Sequence, residues 1–158
     1  MAGKKIEDVM KNVLKGEAQE NALNFISHVR KLNESGVFPI NMNDENDESG
    51  WNVDGLGFIV VTGGEDFPGP WAMWLMAENI GEHTQNTEDD IKEFAWSHVS
   101  PCGSCGGDCS PGTTTKVFGK TFENVCQHNL MFVNPDSEAV RNMKRIADIK
   151  KADALAAR

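Results

Sequence analysis

Apolar residues near the N-terminus recur at intervals of three and four, in two sets that Gly16 separates. The first set is Ile6, Val9, Met10, Val13 and Leu14, and the second is Ala18, Ala22, Phe25, Ile26, Val29 and Leu32. This spacing places each set along one face of a helix. The pattern therefore predicts two amphipathic helices, or one kinked helix, within residues 4–33.

Residues 37–77 show short apolar runs between turn-forming residues, a pattern typical of a strand meander. The run from Trp71 to Ala77 is apolar at both odd and even positions, so both faces of this strand should be covered. Core packing is the favoured interpretation of its tryptophans and methionines. The alternatives are a pocket for a small apolar ligand or a homodimer contact, with Trp51, Trp71 and Trp74 as the candidate ligand-binding surface.

Two further helices are predicted, over residues 88–99 and 135–157. Thr87 and Asp90 resemble a capping box at the start of the first, and Pro101 follows its end. Asn134 and Pro135 suit the N-cap and first position of the second. Basic residues near its C-terminus, including Lys150, suit the helix dipole.

These elements predict an α+β fold in a single domain spanning residues 1–158, with an antiparallel sheet of about five strands. The cysteine loop and a hairpin occupy residues 100–133 in this prediction. The helices lie before, within and after the strand segments, and the cysteine loop binds a metal beside the sheet.

Composition narrows the range of functions. The 15 basic and 24 acidic residues give a net charge of −9, which disfavours nucleic-acid binding. No apolar run is long enough for a membrane span, and no secretory signal is visible at the N-terminus. We therefore expect a cytoplasmic protein, in which clustered cysteines are metal ligands or redox thiols rather than disulfides.

All four cysteines lie within 25 positions, at Cys102, Cys105, Cys109 and Cys126, with the spacing C-x2-C-x3-C-x16-C. A C-x2-C pair supplies two thiolates to a tetrahedral zinc ion from one tight turn, and the sixteen-residue interval fits a β-ribbon that returns the fourth. The leading prediction is a four-cysteine zinc site. If three cysteines bind, His98 or His128 becomes the fourth ligand, or a position stays open for water.

Three alternatives use the same cysteines. An iron–sulfur cluster needs the same thiolates, although the familiar ferredoxin spacings do not match. A redox dithiol at Cys102 and Cys105 is the second, and unligated free thiols are the third. For His98 the interpretations are, in order, a hydrogen-bonded core residue, a residue that orients a metal ligand, and a ligand.

The segments Cys102 to Cys105, Ser110 to Gly112, Phe118 to Cys126 and Asn134 to Asp136 carry a resemblance. Together they resemble an uncharacterised family of small cysteine-rich proteins from anaerobic bacteria. The likeness is greatest over residues 94–150. It implies that the cysteine region and the following helix form one unit, and it implies no reaction.

The sequence thus predicts a zinc-binding module for a small ligand or a protein partner. The alternative is a thiol- or metal-dependent redox enzyme, or an iron–sulfur sensor, that uses the same cysteines. A symmetric homodimer covering the strand from Trp71 to Ala77 is a further prediction.

Overall fold

The computed structural model describes residues 5–34, 40–42, 50–66, 69–82, 87–101 and 112–156, without the side chains of residues 40–42, 127 and 128. The helices in these ranges are α1 (Ile6–Val13), α2 (Gly16–Asn33), α3 (Asp89–Ser97) and α4 (Ser137–Ala156). The strands are β1 (Ile40–Met42), β2 (Gly50–Val53), β3 (Gly57–Val61), β4 (Trp71–Leu75), β5 (Val99–Pro101), β6 (Thr113–Val117) and β7 (Lys120–Val133). The α+β class is confirmed.

The seven strands form one sheet in the order β1-β2-β3-β4-β7-β5, and β6 also pairs with β7. The named strands all pair in antiparallel fashion. The sequence predicted about five strands. One of the additional strands is Val99–Pro101, which was predicted as the last helical residue and the two residues that stop the helix. Residues 120–133 form a single long strand.

The early end of α3 has a local cause. Ser97 Oγ and His98 Nδ1 both hydrogen-bond to the carbonyl oxygen of Phe94, at 2.7 and 2.8 Å. These side chains compete with the backbone amide that would otherwise continue the helix. The amide of His98 bonds to Ala95 instead, at 3.0 Å, and Val99 then pairs with β7.

The start of α4 also differs from the prediction. Asp136, rather than Asn134, caps the helix, because its Oδ1 accepts a hydrogen bond of 2.8 Å from the amide of Ala139. The helix begins at Ser137 instead of residue 135.

The core lies between the helices and one face of the sheet. Ile59, Met73 and Phe132 lie side by side on β3, β4 and β7, and each is at most 1% exposed. Buried residues from all four helices complete the same apolar cluster, and Phe25 of α2 packs against Trp71 with ring centroids 6.4 Å apart. Burial of this continuous apolar surface is the main stabilising contribution to the fold.

The opposite face of the sheet is only partly covered. Phe58, Trp74 and Met131 lie side by side on β3, β4 and β7, and each is half-buried. We call these three residues the outer row. Among the described helices, none combines the length and the apolar character that crossing a bilayer requires.

Candidate metal centre

The fourth predicted zinc ligand, Cys126, lies within β7, where it is a half-buried free cysteine. Cys102, Cys105 and Cys109 lie outside the described residues, as does the side chain of His128. The neighbourhood of Cys126 therefore carries the structural information about this predicted site.

The two described ends of the segment that contains the other cysteines meet at one residue of β7. Pro101, which precedes the segment, pairs with Val125, and Thr113, which follows it, pairs with Val125 as well. Because a strand residue has one neighbour on each side, β5 and β6 flank Val125 on opposite edges. Paired strands lie about 4.8 Å apart. Pro101 and Thr113, which flank this segment, are thus each within one strand spacing of the residue before Cys126.

The strand β7 is irregular where it passes Cys126. Val99 pairs with Leu130 and Pro101 with Val125, so two steps along β5 correspond to five along β7 and three extra residues are accommodated there. The extra residues fall between Val125 and Leu130, a segment that begins at Cys126. Such a bulge redirects side chains away from the regular alternation, and bulges are common beside functional sites.

A second, smaller irregularity lies on the other side of Cys126. Thr113 pairs with Val125 and Thr115 with Phe122, so two steps along β6 correspond to three along β7. Asn124 takes the left-handed backbone conformation here, with φ of 54°. Asparagine tolerates this conformation better than other residues with a side chain. The backbone around Cys126 therefore departs from regular strand geometry on both sides.

Asn129 fixes the larger bulge. Its φ is 64°, it is 2% exposed, and its Nδ2 donates a hydrogen bond of 3.1 Å to the carbonyl oxygen of Cys126. Its Oδ1 accepts a bond of 2.9 Å from the amide of Ala77. The sequence-based prediction missed this residue, although an asparagine within a run of strand-forming residues is a weak signal for a bulge.

His98 is a half-buried residue that is packed and hydrogen-bonded. Its ring lies 4.4 Å from that of Phe94 and 4.7 Å from that of Phe132, measured between centroids. Since the carbonyl of Phe94 can only accept, Nδ1 carries the hydrogen of that bond and Nε2 of the neutral ring carries the lone pair. His98 contacts β7 at Met131 and Phe132, beyond the bulge.

The three tryptophans of the candidate ligand-binding surface lie on different faces of the sheet. Trp51 and Trp71 are 3% and 0% exposed and belong to the core, because they face the helices across the sheet. Trp74 points to the opposite face, where it is half-buried in the outer row. Core packing, the favoured interpretation of the Trp-rich strand, holds for Trp71.

Within the described ranges, no group of three or more histidine, cysteine, aspartate and glutamate side chains is arranged to hold a metal ion. A metal site at Cys126 would therefore need ligands from outside the described residues. Comparison with protein-family models, with curated proteins and with solved structures finds no match.

Proposed function

We propose that the protein is a zinc-binding module in which Cys102, Cys105, Cys109 and Cys126 hold one zinc ion. The observation that supports this most directly is the pairing of Val125 with both Pro101 and Thr113. Pro101 and Thr113, which flank the segment with three cysteines, thus lie beside the residue that precedes the fourth.

The donor set fits zinc. Four thiolates in a closed tetrahedral arrangement are a common structural zinc site, and Cys126 is a free cysteine that the bulge and Asn129 hold in place. The bound ion would supply a cross-link between residues 102–111 and β7. Since no open position remains in a four-cysteine site, we assign the ion a structural role and place binding elsewhere on the protein.

We further propose the outer row as the surface that binds a small apolar ligand or a second copy of the chain in the cytoplasm. Phe58, Trp74 and Met131 are large apolar side chains that the sheet holds in register and leaves half-buried. Their rigid arrangement on three adjacent strands favours recognition of an apolar surface.

Elemental analysis and an absorption spectrum of anaerobically purified, untagged protein test the metal assignment. We expect one zinc ion per chain and no visible absorption. Iron with sulfide and a brown chromophore would replace this proposal with the iron–sulfur alternative. Protein without metal would make Cys102 and Cys105 candidate redox thiols instead.

Substitution identifies the ligands. We expect Cys126→Ser and Cys102→Ser each to reduce the bound zinc to below a tenth of the wild-type stoichiometry. Ser110→Ala, a change within the same segment at a position that supplies no ligand, is the matched control and should retain the zinc. Full zinc content in the Cys126→Ser variant would contradict the four-cysteine site.

A further inference from the structure

A cleft of about 220 Å³ lies between the C-terminal half of α4 and the turn that follows β4. Lys150 and Asp153 of α4 line one wall, and Glu78, Asn79 and Glu82 of the turn line the other. The cleft contains three carboxylates and one amine, all on described residues. None of these lining residues is a predicted zinc ligand.

The turn that forms one wall is held by backbone hydrogen bonds. The amide of Asn79 donates a hydrogen bond of 2.8 Å to the carbonyl oxygen of Lys116. The amide of Phe118 donates one of 3.2 Å to the carbonyl oxygen of Ile80. Gly81 has φ of 86°, and a Cβ there would lie 2.8 Å from the ring of Phe118. A preformed wall of this kind lowers the entropic cost of holding a ligand.

The other wall is attached to this turn through α4. The amide of Gly81 donates a hydrogen bond of 2.6 Å to Asp153 Oδ2. Asp153 lies three residues after Lys150, so both side chains project from the same side of the helix. The carboxylate of Asp153 is thereby oriented at the cleft that Lys150 enters.

Lys150, which the sequence places near the C-terminal end of the helix, lines this cleft. Its Nζ donates a hydrogen bond to the carbonyl oxygen of Met76. Burial lowers the pKa of Lys150 to about 8, against the opposing effect of the carboxylates of Asp153 and Glu78. At pH 7.5 roughly a quarter of the chains would carry a neutral amine, compared with about 0.1% for an unperturbed lysine.

A neutral amine in a cleft is a nucleophile. The bond to Met76 uses one N–H of Nζ and leaves the lone pair of the neutral amine unused, and Lys150 lines the cleft. The negative charges of Glu78 and Asp153 determine which covalent adduct of the Lys150 amine is favoured. Two carboxylates stabilise a cationic adduct and disfavour an anionic one, such as a carbamate or an adduct bearing a phosphate.

We propose that Lys150 is a covalent binding site for a small, uncharged aldehyde or ketone. The lone pair of Nζ attacks the carbonyl carbon, a C–N bond forms, and the carbonyl oxygen takes up a proton as the amine loses one. The resulting carbinolamine releases its oxygen as water and leaves a C=N bond, so amine and carbonyl compound give imine and water. Protonation of the imine yields the cation that Glu78 and Asp153 stabilise.

The size of the cleft limits the compound. The cleft has a volume of about 220 Å³. Compounds of a few carbon atoms fit this volume. The cleft is smaller than the roughly 300–1,000 Å³ pockets that take drug-sized ligands.

Reductive trapping tests the proposal. The intact protein is treated with propionaldehyde and cyanoborohydride at pH 7.5, and modified lysines are identified by mass spectrometry of peptides. We expect Lys150 to react at least tenfold faster than the exposed Lys15 of the same chain, with a rate that saturates as the aldehyde concentration rises. The rate at Lys150 should reach half its maximum near pH 8.

Two comparisons separate a binding site from an amine that is merely reactive. Glyoxylate, an anionic aldehyde, should show a smaller preference for Lys150 over Lys15 than propionaldehyde shows. Lys150→Arg should abolish the fast phase, and Lys151→Arg should leave it unchanged. Labelling of Lys150 no faster than Lys15, a rate linear in aldehyde up to high concentration, or an equal preference with glyoxylate would each overturn the proposal.

Discussion

Asn129 Nδ2 donates a hydrogen bond of 3.1 Å to the carbonyl oxygen of Cys126, across the bulge in β7. The same amide group accepts from the backbone of Ala77, so one side chain joins the bulge to the end of β4. Asn129 is 2% exposed, and water cannot readily replace either bond. The backbone position of the proposed zinc ligand therefore depends on a residue that has no metal chemistry of its own.

Replacing Asn129 with alanine should destabilise the protein by about 3 kcal/mol, since two buried backbone groups lose their partners and a left-handed conformation is imposed on alanine. Asn129→Gly removes the same bonds without the backbone strain, so its cost should be about 1 kcal/mol smaller. Urea unfolding measures both values. Equal stability of Asn129→Ala and the wild type would show that the bulge does not need these bonds.

The helices and the antiparallel sheet could be predicted because their signals are local. Spacing of apolar residues along α1 and α2 indicates which face packs inward, and alternation indicates strands. The hairpin before Cys126 could also be predicted from local sequence, and β6 and the first part of β7 form it.

The bulge and the cleft could not be predicted, because both depend on residues far apart in sequence. The extra residues in β7 are defined only by the pairing of β5 with Val125 and Leu130. Lys150 has the sequence context of an ordinary helix-end lysine, and its burial depends on a turn more than seventy positions earlier. Hydrophobic periodicity carries no information about either contact.

Gly57 should be among the least tolerant positions in the sheet. A Cβ at this residue would lie 2.0 Å from the carbonyl oxygen of Trp74 in the neighbouring strand, and backbone atoms there cannot move aside. We expect Gly57→Ala to destabilise the protein by about 3 kcal/mol or to prevent folding. Thermal unfolding monitored by circular dichroism provides the measurement.

Gly64→Ala is the matched control for this substitution. The nearest atom to a Cβ at Gly64 is Thr62 Oγ1, at 3.7 Å, which is an ordinary contact. The melting temperature of this variant should therefore stay close to that of the wild type. A comparable loss in both variants would indicate that the effect at Gly57 is not the clash with Trp74.

The ion pair between α1 and α2 should contribute to stability at neutral pH and less in acid. Arg30 binds Glu7 through two hydrogen bonds of 2.7 Å, and this bonding lowers the pKa of Glu7 below its usual 4.5. A lowered pKa means that the folded state binds fewer protons, so the contribution is present above pH 4.5 and is lost as the pH falls through the folded pKa.

Glu7→Gln should cost less than about 1 kcal/mol at pH 7, because both partners are partly exposed and solvent screens the pair. Urea unfolding at pH 7 and at pH 3 should show the difference from wild type shrinking in acid. Glu20→Gln, at an exposed position of α2, serves as the control. A difference that grew toward pH 3 would have the wrong sign for this ion pair.

The proposed zinc site predicts which strands and helices change their hydrogen exchange when a chelator removes the ion. Because the ion would join residues 102–111 to β7, its removal should increase hydrogen exchange most strongly in β5, β6 and the first half of β7. Exchange in α2, which packs on α4 away from these strands, should change least. The Cys126→Ser variant without chelator should reproduce the same pattern, and uniform exchange or no change after chelation would contradict it.

Lys150 makes the stability of the protein depend on pH in the alkaline range. Its pKa is lowered from 10.5 to about 8 by burial, so between these values the folded state binds fewer protons than the unfolded state. The free energy of unfolding therefore rises with pH across this window, and the cost of burying a charged amine is largest below pH 8. Integrated over the window, this effect amounts to at most about 3 kcal/mol.

The variant Lys150→Met retains the length of the aliphatic part of the side chain and removes the titrating amine. Urea unfolding at pH 7, 8.5 and 10 should show wild type gaining stability relative to this variant as the pH rises, since other groups that titrate are common to both. Lys151→Met, one position further along α4, should show no such trend. If wild type instead lost stability relative to Lys150→Met between pH 8 and 10, Nζ would be charged in the folded protein, and the cleft would hold a cation instead of a nucleophile.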